Sequence, residues 1–280
     1  MSAQPSVIIS QDLSGIGQVS MGVALPLLAA MDYAPYILPT ALLSTHTGGL
    51  GANTYLDLAD QMPAILAHWQ TLNLKPSGLL LGYLGQHALT QWRQALPTFA
   101  AVPVRVIDPV MGDHGQLYQG FDHDYVAAMQ DLVRQATVIT PNATEAQLLL
   151  DQTPTDARLT PHAAYELVQA LVARYQVAVV LTGVAIAPKG LAIVGQVVGQ
   201  TPWLQEVQAQ PGHYFGTGDI FASVLCGALM RRWSLRAASD LAQQFVGMGI
   251  ARTRAQASDV RFGVNYMAAL PWLLGQLDPR

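Results

Sequence analysis

Short runs of β-branched and aliphatic residues alternate with longer helical segments along almost the whole chain. Residues 7–9, 79–81 and 104–107 are predicted as buried strands, and the segments between them carry apolar residues at helical spacing. This alternation is typical of parallel βαβ units, because two parallel strands need a crossover connection between them. The sequence therefore predicts an α/β fold: a mostly parallel sheet with helices on both faces, formed by residues 1–280 as a single domain.

The same pattern predicts several other elements. Residues 37–43 are predicted as one strand and residues 55–72 as one helix, while residues 17–31 are predicted as the first helix. After residue 217 the pattern is helical for most of the remaining chain. In an open parallel sheet, ligands bind beyond the carboxyl ends of the strands, so polar clusters at those ends are the candidate sites.

Composition excludes several classes of protein. Hydrophobic residues make up 51% of the chain and charged residues 11%, the reverse of what disordered chains show. A single cysteine, Cys226, excludes an internal disulfide. The longest apolar stretches, residues 177–187 and 220–230, are shorter than the ~18 residues of a membrane-spanning helix, and the first residues lack a secretory signal pattern. We expect a cytoplasmic protein with no membrane association.

The charge balance disfavours nucleic acid as a partner. The formal net charge is −4, from 14 basic and 18 acidic residues, whereas nucleic-acid binding needs clustered Lys and Arg. Only Lys75 and Lys189 are lysines. A phosphate site in this chain would therefore depend on backbone amides and helix N-termini.

The most informative cluster is residues 211–219 (PGHYFGTGD), directly before an apolar helix. Glycines allow successive N–H groups to point at one anion, and the helix N-terminus adds a partial positive charge. Asp219 follows in the first turn, where the helix dipole favours an ionised carboxylate. The alternative is an ordinary glycine turn in which Asp219 only caps the helix.

Two further clusters follow predicted strands. Asp108 and Asp113 lie in residues 108–113 (DPVMGD), where two carboxylates could hold a hydrated Mg²⁺ together with substrate phosphates; the alternative is a turn with exposed acids. In the second cluster, residues 140–145 (TPNATE), Asn142 could be a helix N-cap with Glu145 completing a capping box, which would explain the spacing fully.

Polar loops at residues 10–17 and 44–49 offer donors and acceptors for a small polar ring. The second loop contains His46. The six histidines outside it, His114 and His213 among them, show no metal-ligand spacing, so no zinc site is expected. The chain also lacks a P-loop motif and a Rossmann fingerprint.

Taken in order, these clusters resemble the ribokinase-like superfamily, and residues 44–48 (STHTG) and 82–85 (GYLG) resemble its pyridoxal kinase family. The resemblance extends from residue 7 to about residue 254. It implies a single ribokinase-like kinase domain that uses ATP to phosphorylate the 5′-hydroxymethyl group of a B6 vitamer, in salvage of pyridoxal phosphate. It also implies Mg²⁺ as cofactor, K⁺ as a monovalent cation and a homodimer.

The resemblance assigns roles residue by residue. The anion hole would be formed by Gly216, Thr217 and Gly218, with Asp219 as catalytic base. The residues around the vitamer would be Ser10, Asp12, Ser14, His46, Thr47 and Tyr83. The residues around ATP would be Asp108, Asp113, Tyr118, Thr140, Asn142 and Thr182. The residues organising Mg²⁺, in part through water, would be Asp108, Asp113 and Glu145.

One stretch departs from the pyridoxal kinase pattern. Residues 10–15 (SQDLSG) lack the Ser-His pair common in that family and are closer to the hydroxymethylpyrimidine kinases of thiamine biosynthesis. A hydroxymethylpyrimidine (phosphate) kinase and a non-catalytic vitamin-binding protein on the same fold therefore remain alternatives. Residues 45–47 and 112–113 favour the B6 substrate. Asp219 favours an enzyme, because a pure binding module needs no base beside its anion hole.

Overall fold

The computed structural model describes residues 4–277, which are built around an eight-stranded sheet. The strands are β1 (Ser6–Ser10), β2 (Leu13–Ser14), β3 (Ala34–Ile37), β4 (Ala41–Leu43), β5 (Tyr55–Asp57), β6 (Gly78–Leu81), β7 (Val104–Ile107), β8 (Gly112–Asp113), β9 (Gln116–Leu117), β10 (Val138–Ile139), β11 (Ala178–Ile186), β12 (Gly190–Gln196) and β13 (Trp203–Val207). The α-helices are α1 (Met21–Ala30), α2 (Met62–Thr71), α3 (Gly85–Ala95), α4 (His123–Val133), α5 (Ala143–Leu149), α6 (Pro161–Tyr175), α7 (Thr217–Met230), α8 (Leu235–Ala255) and α9 (Leu270–Leu277).

The main sheet has the strand order β13-β12-β11-β10-β7-β6-β1-β3, in which the strands from β11 to β3 pair in parallel and β12 and β13 pair antiparallel. One apolar core packs helices α3, α4 and α6 against one face, and a second core packs α1, α7 and α8 against the other. This confirms the predicted α/β class, a mostly parallel sheet with helices on both faces. Among the described residues, no helix combines the length and the apolar character that crossing a membrane requires.

The predicted strand over residues 37–43 is wrong. Its two halves are β3, at the edge of the main sheet, and β4, which belongs to a three-stranded sheet of order β2-β4-β5. Pro39 lies between them and has no N–H to donate to a ladder. The N–H groups on either side of Pro39 are still paired. Leu38 donates to the carbonyl of Ile9 in β1, and Thr40 donates to the carbonyl of Gln11, just after β1.

The predicted helix over residues 55–72 is also too long. Tyr55–Asp57 forms β5, which pairs antiparallel with β4, and helix α2 begins only at Met62 after a 3₁₀ turn. Pairing with a partner strand outweighed the local helical pattern, which is the usual way in which tertiary context overrides propensity. Similarly, α1 begins at Met21 rather than at residue 17, because Ser20 has a φ of 47°.

Candidate active site

The parallel strands end at one edge of the main sheet, and the loops that follow them carry most of the candidate site residues. Residues 11–14 follow β1, residues 82–83 follow β6, the loop from Asp108 follows β7, and residues 140–142 follow β10. Helices α5 and α7 begin at this same edge. The topology therefore brings together segments that are far apart in the sequence, as is general for open α/β sheets.

The N-terminus of α7 has the geometry of an anion site. Gly216 is its N-cap with a φ of 80°, and a Cβ there would lie 2.2 Å from the carbonyl oxygen of Gln18, so only glycine fits. No side chain caps this helix, which leaves the first-turn N–H groups available to a ligand. Thr217 donates its hydroxyl to the Tyr214 carbonyl at 3.3 Å. A Cβ on Gly218 would lie 3.6 Å from Asp108 Oδ2, which places that carboxylate beside the same turn.

Asp219 lies in the first turn of α7 but is not its N-cap. Burial of its carboxyl group raises its pKa to about 7, against the lowering effect of a backbone hydrogen bond from Ser20, while the charges of Asp108 and Asp12 raise the pKa further. Desolvation therefore outweighs the hydrogen bond that favours the ionised form. A carboxylate with a pKa near 7 is suited to accept a proton at neutral pH.

Asp108 and Glu145 form a buried acidic pair beside this helix. Thr140 donates its hydroxyl to Asp108 Oδ1 at 3.0 Å, and Glu145 accepts the backbone N–H groups of Met111 and Asn142 at 3.1 and 2.9 Å. Burial raises the pKa of both carboxyls, and the charge of Asp108 raises the pKa of Glu145 further. Within residues 4–277, no Lys or Arg side chain forms a salt bridge with either acid. Such a pair fits a divalent cation with a preference for oxygen ligands.

Asn142 is the N-cap of α5, and the capping box foreseen as an alternative is present. Its Oδ1 accepts the Glu145 N–H at 2.9 Å, and its Nδ2 donates to the Gly112 carbonyl at 2.8 Å. The side chain thus holds Glu145 in place and ties α5 to the β8–β9 hairpin. Thr182 belongs to the same region, since its N–H donates to the Pro141 carbonyl at 2.9 Å.

The β8–β9 hairpin lies against the start of α5, where Gly115 N–H donates to Thr144 Oγ1 at 2.9 Å. Asp113 lies at its tip and is partly exposed, apart from the buried acidic pair. Tyr118 follows the hairpin and is 42% exposed as a residue, but desolvation of its phenol, followed by the charges of Glu145 and Asp113, raises its pKa. The hairpin is therefore placed as a flap beside the acidic pair.

Three of the residues predicted around the vitamer lie in the loops after β1 and β6 or at the end of β1. Asp12 is buried, accepts the Ser14 hydroxyl at 2.9 Å, and has a pKa raised by desolvation. Tyr83 stacks on Phe121 with ring centroids 5.6 Å apart. Ser10 is fully buried too, but its hydroxyl is already engaged, since it accepts Trp92 Nε1–H at 2.8 Å.

His46 is held at both ring nitrogens. The Gly48 N–H donates to its Nδ1 at 3.1 Å, and Nε2–H then donates to the Arg261 carbonyl at 2.5 Å. Its ring packs on Phe215, with centroids 4.7 Å apart. His46 therefore fixes the loop that carries the exposed Thr47.

Two residues of this region were missed by the sequence reasoning. The Gln11 side chain is buried at the end of β1, and its Nε2 has no hydrogen-bond partner. Phe215 packs against both His46 and Gly48, where a Cβ on Gly48 would lie 2.3 Å from the ring. Their positions next to Asp12 and Gly216 were the available signals, but glutamine and phenylalanine carry no distinctive chemistry by themselves.

This chain is similar to known kinases of small-molecule substrates. The family model for phosphomethylpyrimidine kinase matches residues 57–264. The chain is 30% identical to a pyridoxine/pyridoxal/pyridoxamine kinase from Bordetella avium, over 85% of this chain and 82% of that one. A protein from Schizosaccharomyces pombe is 27% identical over 207 residues, and the match spans 62% of its length, less than two thirds.

Among solved structures, pyridoxal kinase from Lactobacillus plantarum is 38% identical, with a TM-score of 0.87 and 98% of each chain covered. Pyridoxal kinase from Leishmania donovani, in complex with ADP and pyridoxamine, is 22% identical, with a TM-score of 0.85 over 96% of this chain and 95% of that one. The second likeness concerns the fold alone.

Proposed function

This chain belongs to the pyridoxal kinase family of the ribokinase-like superfamily, and on that premise we propose that it transfers the γ-phosphoryl group of ATP to the 5′-hydroxymethyl group of a B6 vitamer. The observation that carries the proposal is Asp219, a carboxyl with a pKa of about 7, placed directly after the glycine-lined N-terminus of α7. This places a proton acceptor beside a set of free N–H groups. An alcohol-to-phosphate transfer needs both.

Each part of the site has a distinct task. Asp219 accepts the proton of the vitamer's hydroxyl as that oxygen attacks the phosphoryl group. The N–H groups of residues 216–218 and the dipole of α7 offset the charge on the transferred group. Asp108 and Glu145 would hold Mg²⁺, with Asp113 lying apart from them on the flap, and a bound Mg²⁺ neutralises phosphate charge during transfer. ATP lies near Thr140, Asn142 and Thr182, with Tyr118 of the flap over it.

The vitamer ring is held by the loops after β1, β4 and β6. Asp12, with Ser14, and Tyr83 line one side, and the loop of Thr47, fixed by His46, lines the other. Ser10 is fully buried and its hydroxyl accepts the Trp92 indole N–H, so it supports the end of β1 rather than touching the ring. Support for a B6 substrate comes from the Bordetella avium and Lactobacillus plantarum relatives, whose names state this activity.

The test is an ATP-consumption assay with pyridoxal, pyridoxamine, pyridoxine and hydroxymethylpyrimidine in parallel, each with K⁺ or Na⁺ as the monovalent cation. We expect turnover of at least one vitamer, Mg²⁺-dependent and faster with K⁺. Turnover of hydroxymethylpyrimidine but none of the vitamers would overturn the substrate assignment. Binding of vitamers without ATP consumption would overturn the catalytic role.

The proposal extends to the whole molecule: residues 1–280 act as one kinase domain, and two copies associate through the small β2-β4-β5 sheet. Leu13, Leu42 and Leu56 are paired across its three strands and are 40%, 44% and 57% exposed. A row of exposed leucines of this kind is typical of an interaction surface. We place the kinase in the cytoplasm, where ATP is available and Cys226 stays a thiol, as it is here.

A further inference from the structure

A second set of metal-ligand side chains lies at the tip of the β8–β9 hairpin. It consists of Asp113 and His114 of the hairpin and His213 of the loop before α7. One ligand atom of each residue lies within 4.8 Å of the ligand atoms of the other two. The two histidines are far apart in the sequence and meet only because the hairpin and the loop lie side by side.

His114 is oriented as a metal ligand. Its Nδ1 lies 3.3 Å from both carboxylate oxygens of Asp156, while its Nε2 lies 3.7 Å from Asp113 Oδ2. Histidines that bind metals characteristically give one ring N–H to a carboxylate and present the other nitrogen to the ion. The Asp113 Oδ1 already accepts the His114 backbone N–H at 2.8 Å, so its Oδ2 is the oxygen that faces the imidazole.

The backbone supports this placement. His114 and Gly115 are the two turn residues of the hairpin, and both have positive φ values, 49° and 75°. Two-residue hairpin turns favour this conformation, and it puts the His114 ring at the tip. His213 approaches from the other side: its ring centroid lies 5.7 Å from that of His114 and 4.8 Å, edge-on, from that of Phe215.

We propose that Asp113, His114 and His213 bind a divalent transition-metal ion of the Zn²⁺ class, with Asp156 orienting His114. Two imidazole nitrogens and one carboxylate oxygen suit Zn²⁺, whereas Mg²⁺ prefers oxygen ligands alone. Because both histidines are exposed, water completes the coordination. The bound ion joins the flap that carries Tyr118 to the loop that carries Phe215, and so restrains the flap.

The test measures metal binding without nucleotide or vitamer, so its outcome is independent of the proposed kinase activity. Zn²⁺ is titrated calorimetrically into the untagged full chain with excess Mg²⁺ present to occupy the oxygen-ligand site. We expect one Zn²⁺ per chain, and at least a tenfold loss of affinity in His213→Ala and in His114→Asn; Asn is used because it tolerates the positive φ. Asp156→Asn weakens binding by about tenfold, as is usual for a carboxylate behind a ligating histidine.

His162→Ala is the matched control, since His162 is also exposed and lies 3.4 Å from a carboxylate, that of Glu166. It should bind Zn²⁺ like the unmodified chain. Hydrogen exchange provides the second measurement: Zn²⁺ should slow exchange over residues 112–118 in the unmodified chain but not in His213→Ala. Absence of binding, or equal binding by the unmodified chain and both histidine variants, would overturn the proposal. So would exchange that Zn²⁺ leaves unchanged in the unmodified chain.

Discussion

At the scale of single residues, the acidic groups at the sheet edge decide the chemistry. Asp12, Asp108, Glu145 and Asp219 all lie near the N-terminus of α7 or α5, and burial raises the pKa of each. Desolvation makes the ionised form of each carboxyl unfavourable, so a bound cation stabilises the acidic pair, and Asp219 readily accepts a proton.

Asp219→Asn tests the base directly. The amide keeps the size of the side chain, and the helix loses no cap because Asp219 is not the N-cap. We expect a folded protein that binds ATP and vitamer normally and turns over about 10²–10⁴-fold more slowly. Folding is checked by circular dichroism and binding by calorimetry. A variant with near-normal kcat would show that another group takes the proton.

The pKa of Asp219 also predicts a pH profile. Its folded-state pKa of about 7 lies above the ordinary value of 3.8, so the carboxyl is protonated, and unable to act as a base, below pH 7. We expect kcat/KM of the unmodified enzyme to rise about tenfold per pH unit up to pH 7 and to level off above it. A profile that is flat from pH 5 to pH 8 would contradict this assignment.

At the scale of elements, the start of α5 connects local structure to the site. Asn142 caps the helix, holds Glu145 and binds the hairpin through Gly112. The short sequence TPNATE thus serves helix stability and site geometry together, and the capping-box interpretation and the functional one are both compatible with it. The β8–β9 hairpin forms the flap, and its position depends on the hydrogen bond from Asn142 to Gly112.

Asn142→Ala should therefore affect both stability and nucleotide binding. Loss of the cap and of the bond to Gly112 should lower the free energy of unfolding by about 1–3 kcal/mol and raise the KM for ATP. Thr160→Ala removes the N-cap of α6, where Thr160 accepts the Ala163 N–H at 3.1 Å. That control should lose about 1 kcal/mol with an unchanged KM. Equal KM values in the two variants would limit Asn142 to helix stability.

At the scale of the whole molecule, the acidic pair makes nucleotide and metal binding depend on each other. ATP brings negative charge next to two carboxyls whose ionisation burial already disfavours, so ATP should bind tightly only with Mg²⁺, whose charge offsets both. Calorimetry with and without chelator measures this, and full ATP affinity in chelator would contradict it. Glu145→Gln should raise the Mg²⁺ requirement by at least about tenfold, because a neutral amide replaces a charged carboxylate ligand, with vitamer binding unchanged.

The proposed dimer is tested on the leucine row of the small sheet. Leu42→Asp places a charge between Leu13 and Leu56 and should shift the protein from dimer to monomer in light scattering after gel filtration. Leu72→Asp is the control, because Leu72 is 52% exposed at the end of α2, away from this sheet. A monomeric unmodified protein, or a Leu42→Asp variant that remains dimeric, would contradict the proposed interface.

The α/β class, the order of the polar clusters and the family were all accessible from the sequence. Turn and capping residues are local properties, and they were sufficient to place the capping box at Asn142. The glycine turn at Gly216 was equally accessible, because a glycine-rich run directly before an apolar helix is a local pattern; the structure adds that a Cβ there would lie 2.2 Å from the Gln18 carbonyl oxygen.

Only the tertiary structure decided which residues meet. Pairing between strands assigned residues 41–43 and 55–57 to a second sheet, because a partner's hydrogen bonds outweigh local propensity. Burial set the pKa of Asp219, since desolvation depends on everything packed around the carboxyl. The same holds for His114 and His213, whose spacing in the sequence indicates nothing about a metal, while the packing of two loops brings their rings together. Distances across a fold follow from topology and packing, which no single segment encodes.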